Sequence, residues 1–217
     1  MHARVMIAEV LPGKVDEAIR LTRDAVLSVA PDQPGYRGLL SLVDRVTGKS
    51  MAISLWETEA DRQPGEHIGH VREQLAAVAS VLAGPTTGET FAVEILETSQ
   101  GPAAAARVLT TQTKPGEIDQ AVAVGREAIR GISRQQPGFR GALTLVDRAT
   151  GMGYTISLWE TAADREAGEQ SGYVREQLSK VGSFLAGPVT REAFEVSVVD
   201  LPTSVARAPT AAGVGGR

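Results

Sequence analysis

The chain has 217 residues, with 42% apolar residues, 22% charged residues and a net charge of -4. Two units of roughly a hundred residues could each bury a small core at this length. The mildly acidic balance and the scattered Lys and Arg exclude a phosphate-backbone partner, so no nucleic acid is expected. There is no cysteine, which excludes disulfides, thiolate nucleophiles and cysteine metal sites. Apolar stretches are short and interrupted, so no membrane span is expected. The N-terminus enters folded sequence at once, which predicts no signal peptide and a cytoplasmic protein.

Taken in order, Arg4 to Val10 alternates as a strand and Pro12-Gly13 turns the chain. Val15, Ala18, Ile19, Val26 and Val29 fall at helical spacing, and Pro31 ends that helix. Pro34-Gly35 is a second turn. Tyr36 to Val43 is a strand, Asp44-Arg45-Val46-Thr47-Gly48 a hairpin loop, and Met51 to Glu57 a third strand. Thr58 with Asp61 forms a capping-box-like start for a short helix, broken near Pro64-Gly65. A longer helix runs to about Ala83, where Gly84 and Pro85 stop it. Phe91, Val93 and Ile95 alternate in a last strand. The unit is β-α-β-β-α-β, the ferredoxin-like arrangement of an antiparallel sheet with both helices on one face.

That unit occurs twice. Val5 matches Val108, Trp56 matches Trp159 and Gly84 matches Gly187, at a constant spacing of 103 residues with no gap between residues 3 and 97. About half of the paired positions are identical. The expected organisation is a first domain over residues 1–97, a linker over 98–105, a second domain over 106–200, and a disordered tail over 201–217 rich in Ala, Gly, Pro and Thr. One parity of the third strand, Met51, Ile53 and Leu55, makes the helix-free sheet face apolar. Pairing two such sheets face to face would bury both. On one chain that association is intramolecular, a permanent pseudo-dimer whose halves are free to differ. Further homo-oligomerisation is left open.

Leu-Trp-Glu-Thr at 55–58 and 158–161, preceded by Pro-Gly-Tyr/Phe-Arg-Gly at 34–38 and 137–141 and followed by a helix, resembles the dimeric α/β-barrel superfamily. The likeness is closest to the antibiotic-biosynthesis-monooxygenase-like branch and covers nearly all of residues 3–200, twice. It implies an α+β fold of two ferredoxin-like units fused into an intramolecular barrel. It also implies one pocket per half, between sheet and helices, for a small, flat, apolar or aromatic molecule. Among activities, it implies cofactor-independent oxygenation of an aromatic or polyketide-like substrate, or haem breakdown. The alternative is a non-enzymatic ligand-binding or stress-type protein of the same fold. Both family activities use a third-strand Trp, matched by Trp56 and Trp159. The family's oxygenases also use an asparagine near the pocket; this chain has none, and Ala52 or Thr155 stands there.

Candidate site residues follow. Trp56 and Trp159 either stack on a flat ligand or fill the gap between sheet and helices. Ser54, Ser157 and Thr155 share their strand parity. Arg37 and Arg140, opening the second strand, either stabilise an oxyanion or face solvent. His67 and His70, spaced i, i+3, are candidate acid–base groups, with solvated surface positions as the alternative. His67 is also the candidate ligand of a haem, the one cofactor considered; otherwise none is expected, and no metal. Their counterparts are Gln170 and Tyr173. Tyr173 is a third acid–base candidate, and Tyr154 could orient a phenolic ligand. Differences at Ala52/Thr155, Met51/Tyr154, His67/Gln170 and His70/Tyr173 predict one scaffold with two unequal sites.

Overall fold

The computed structural model of the chain describes residues 1–29, 33–61, 76 and 78–202. Eight strands are present among the described residues: β1 (His2–Glu9), β2 (Tyr36–Val43), β3 (Lys49–Trp56), β4 (Thr87–Thr98), β5 (Ala105–Gln112), β6 (Phe139–Val146), β7 (Met152–Trp159) and β8 (Thr190–Asp200). Four α-helices with both ends among the described residues accompany them: α1 (Val15–Val29), α2 (Ile118–Gln135), α3 (Ala162–Gln170) and α4 (Tyr173–Val181).

The strands form one closed barrel in the order β1-β3-β2-β8-β5-β7-β6-β4. Each half keeps the ferredoxin-like order within it, and every neighbouring pair is antiparallel. The halves join edge to edge rather than simply face to face. The last strand of each half pairs with the second strand of the other, β8 on β2 and β4 on β6. Closure leaves no unpaired edge among the described strands.

Strand parity decides what each face does. Met51, Ile53 and Leu55 point inward together with Tyr154, Ile156 and Leu158, and all six are buried in the barrel interior. Positions one residue out of phase point to the helices: Trp159, Ala142, Ile95 and Phe139 pack with Ile129 of α2. The helix-free faces of both halves thus become one shared core.

The recurrent motifs have structural duties. Asp44-Arg45-Val46-Thr47-Gly48 closes a hairpin in which the Thr47 hydroxyl donates to Asp44 at 2.6 Å, holding that carboxyl below its ordinary pKa. Asp147 and Thr150 repeat this at 2.5 Å. Thr161 caps α3, accepting from the Asp164 N–H at 3.1 Å, and Thr58 accepts from the Asp61 N–H at 3.2 Å. In Pro-Gly-Tyr/Phe-Arg-Gly, the final glycine is a seam residue. Gly141 has φ +152, sits at a register shift in β6, and a side chain there would meet the Glu97 carbonyl of β4 at 2.5 Å. Gly38 occupies the same place against Asp200 of β8. Only glycine lets the strands of the two halves approach there.

The second half carries the expected short helix and longer segment as two nine-residue helices, α3 and α4. The break comes at Gly172, left-handed at φ +78, and not at the position matching Pro64-Gly65. The matching residue in the repeat is Gly69. The first-half break, His67, His70 and residues 203–217 of the predicted tail lie outside the described residues. No helix among the described residues is long and apolar enough to cross a membrane.

Candidate functional site

The second half holds a cavity of about 130 Å³ between the outer sheet face and helices α2 and α4. Its floor is β5, β6 and β7, through Leu109, Ala142, Val146 and Thr155 among others. Its roof is aliphatic: Ile118, Val122 and Ile129 of α2, and Val174, Leu178 and Val181 of α4. Ile95 of β4 completes the wall from the first half of the chain. An engineered cavity of roughly 150 Å³ takes benzene, so this volume suits a single ring better than a fused polycycle.

Polar groups enter mainly from the sheet. Thr111, Thr113, Thr144, Thr155 and Ser157 present hydroxyls to the cavity, and Gln177 an amide. Thr144 and Thr155 lie 3.4 Å apart across β6 and β7. Ser157 Oγ accepts the Trp159 indole N–H at 3.0 Å, which leaves its own proton to donate. Of the predicted residues, Ser157 and Thr155 therefore line the cavity.

Trp159 lies behind the wall. It is 1% exposed, sits edge-on to Phe139 at 5.5 Å, and presses on Gly168 so closely that a Cβ there would come within 2.6 Å of the ring. Its place is that of a packing anchor that orients Ser157. Trp56 repeats the arrangement, donating to Ser54 Oγ at 3.0 Å and meeting Tyr36 edge-on at 5.8 Å.

Four other predicted residues sit away from the cavity. Tyr154 points into the barrel interior and meets Phe91 edge-on at 5.3 Å, because it is adjacent to Thr155 and strand neighbours face opposite ways. Burial raises its phenol to about 12. Arg37 and Arg140 are ion-paired to Glu57 and Glu160 at the end of the neighbouring third strand of each half. Tyr173 leads α4, and its hydroxyl donates to the Ala128 carbonyl at 3.0 Å over Gly131. Burial pushes its phenol up too. It borders a separate surface groove between α2 and α4. The structure thus brings two of these sequence candidates to the cavity and ties these four into the frame.

It also missed one residue. Arg107 lines the cavity from the middle of β5 with a side chain only 3% exposed. Its guanidinium lies 5.7 Å from the Trp159 ring centroid and 4.0 Å from Glu169 of α3. Nε and Nη1 have no hydrogen-bond partner. Burial pulls its pKa down to about 10, opposed by Glu169 and reinforced by Arg191 and Arg165. The available signal was a charged residue inside the apolar run Ala105-Ala106-Arg107-Val108-Leu109, at the parity that faces the helices.

The halves differ at the cavity. Leu39 stands at the place of Ala142, Val10 at Thr113, Ala52 at Thr155 and Thr22 at Gly125. Leu39 is 2% exposed, and Val10 packs in a tight cluster with Ala18 and Val81. Leu39 and Val10 thus put aliphatic bulk where the second half has Ala142 and Thr113, while Ala52 lacks the Thr155 hydroxyl and Thr22 adds a side chain at the place of Gly125.

A haem group does not fit the second-half cavity as built. Among the described residues lining it there is no His, Cys, Met or Tyr to ligate iron. Among the described residues of the whole chain, no group of three or more His, Cys, Asp or Glu could hold a metal ion.

No family model matches the chain. The uncharacterized protein Rv2557 of Mycobacterium tuberculosis is 24% identical over 187 residues, covering 84% of this chain and 82% of that one. Among solved structures, a candidate monooxygenase from Fusobacterium nucleatum superposes with a TM-score of 0.75 at 14% identity, covering 94% of this chain and 95% of that one. An anthrone oxidase-like protein superposes with a TM-score of 0.66 at 15% identity, covering 92% of each chain. These likenesses extend along nearly the whole polypeptide, through both halves of the barrel. The chain has the dimeric α/β-barrel fold of these monooxygenase-like proteins, built as two ferredoxin-like units in one polypeptide.

Proposed function

We propose that this chain binds a small, flat, largely apolar molecule in its second-half cavity, with the first half serving chiefly as scaffold. The observation that carries this is a cavity with an aliphatic roof and a hydroxyl-bearing floor, the usual make-up of a small-molecule site. The comparison of Leu39 with Ala142 supports an unequal pair of sites.

Oxygenation of the bound molecule without a cofactor is the activity that the monooxygenase-like neighbours suggest. Such a reaction needs a deprotonated, electron-rich ring that passes electrons to oxygen, and donors aimed at the developing oxyanion. Ser157, Thr155 and Arg107 are donors of the right kind. No described residue lining the cavity is a His, Asp or Glu, and Glu169, 4.0 Å from Arg107, is not among them, so no described lining residue is a general base. The substrate must therefore be acidic enough to lose its proton to solvent, and a bound molecule without that acidity would stay unchanged. The second reading, a non-enzymatic binder, draws its support from the same lack of a base among the described lining residues.

Two measurements test this. Calorimetric titration with a single-ring aromatic should show binding that Ala142→Leu weakens at least tenfold, because that change installs the first half's residue in the cavity floor. The same variant should melt no lower than the parent. Unchanged binding in Ala142→Leu would place the ligand elsewhere. Oxygen uptake with a single-ring quinol, faster than with a three-ring anthrone, is expected of an oxygenase with a cavity of about 130 Å³. Binding without uptake across a phenolic panel would establish the non-enzymatic reading.

A further inference from the structure

Arg107 is the one feature of the cavity that an apolar ligand leaves unexplained. A guanidinium carries five N–H donors and holds its charge at neutral pH, so burying it without partners is costly. Here the side chain is 3% exposed, and both Nε and Nη1 lack hydrogen-bond partners. Glu169 stands 4.0 Å from Nη1, beyond hydrogen-bond reach, and its Oε1 is itself buried without a hydrogen-bond partner. Arg165 also draws on Glu169, at 3.7 Å. Glu169 is the carboxylate that acts on Arg107, while Arg165, which also pairs with Glu166 at 3.4 Å, and Arg191 act on it as like charges. The Arg107 guanidinium has donors to spare.

We propose that the second-half cavity selects a single-ring aromatic carboxylate, its carboxylate bound by the Arg107 guanidinium and its ring held among Ile95, Ile129 and Val174. Adjacent guanidinium donors match the two oxygens of a carboxylate, a fit that a neutral amide of the same shape does not reproduce. The Trp159 face behind the guanidinium and the Ser157 hydroxyl beside it keep the fork oriented. Glu169 takes the part of a resident counter-charge that the ligand displaces. In the first half the matching residue is Arg4, which is only partly buried, so the built carboxylate site belongs to the second half.

This assignment rests on the cavity reading above, and the test separates the two. The probes are benzoate and benzamide, titrated at pH 7 into the full chain carrying Trp56→Phe. Trp159 is then the only tryptophan, and its emission reports on the site. Benzoate is expected to bind at least tenfold more tightly than benzamide. Arg107→Met should weaken benzoate at least tenfold and leave benzamide within threefold. Glu169→Gln should tighten benzoate severalfold, because the competing carboxylate is gone; a purely structural Glu169 would not produce that gain. Should Arg107→Met fail to fold, the benzoate-to-benzamide ratio and the Glu169→Gln result decide the matter alone. Benzamide binding as tightly as benzoate, with Glu169→Gln neutral, overturns the carboxylate assignment and leaves the cavity reading standing. Failure of both probes to bind overturns both.

Discussion

Neighbouring residues on one strand have opposite fates in this barrel, and Tyr154 and Thr155 show it best. Thr155 faces the cavity, whereas Tyr154 is buried between the two halves against Phe91. Desolvation raises the Tyr154 phenol from its ordinary value of 10 to about 12. Below about pH 10 the phenol is neutral in both folded and unfolded chains and contributes no pH dependence. Above it the unfolded chain ionises first, so stability falls as pH rises toward 12. Thermal melts between pH 9 and about 12 should show a steeper decline for the parent than for Tyr154→Phe; parallel curves would contradict the burial argument. The same parity rule explains what could be read from the chain. Ser157 and Thr155 share the parity of Trp159 and were legible as cavity residues. Tyr154 shares the parity of Met51 and belonged to the core on that ground alone. Arg37 and Arg140 were illegible as frame residues because their partners, Glu57 and Glu160, come from the neighbouring strand.

At the level of elements, the hairpin loops act as staples between halves. Arg45 bonds Asp16 of its own half and Glu195 of β8; Arg148 bonds Asp119 of its own half and Glu94 of β4. The two are sequence equivalents, but their surroundings differ. The Glu195 side chain is 41% exposed, whereas that of Glu94 is 6% exposed. Arg45→Ala should therefore cost about 0–1 kcal/mol, the range of exposed ion pairs. Arg148→Ala strands a buried carboxylate and should cost about 1–3 kcal/mol. Chemical denaturation of the two variants checks the order, and equal losses would show that Glu94 finds water when Arg148 is removed. Helix ends were readable from caps and glycines, as Thr161 shows. The break expected near Pro64-Gly65 belongs to the first half and lies outside the described residues. The second half has no proline at the matching position, and the left-handed Gly172 decides instead.

For the whole molecule, the repeat made the two ferredoxin-like units legible, but not the way they join. Which edge pairs with which is a long-range choice, and no local pattern in Phe91 to Ile95 states that β4 will lie beside β6. The trace of that choice in the sequence is Gly141, whose lack of a side chain makes room for the Glu97 carbonyl. Because closure runs through both halves, they share the main core: Phe91, Leu143 and Phe194 lie in one continuous cluster. Calorimetry should accordingly show one cooperative unfolding transition for the full chain. Two resolved transitions would mean that the halves are independent bodies.

The crossing of the last strands has a consequence for inheritance of the site. Ile95 lies in the first copy of the unit, yet it walls the cavity of the second. A substitution in one copy is thus expressed in the pocket of the other, and the unit of variation is the seam. Directed evolution confined to one copy would leave part of the pocket untouched. Transplanting a copy into a foreign partner would carry over the hydroxyl floor and trade away the wall.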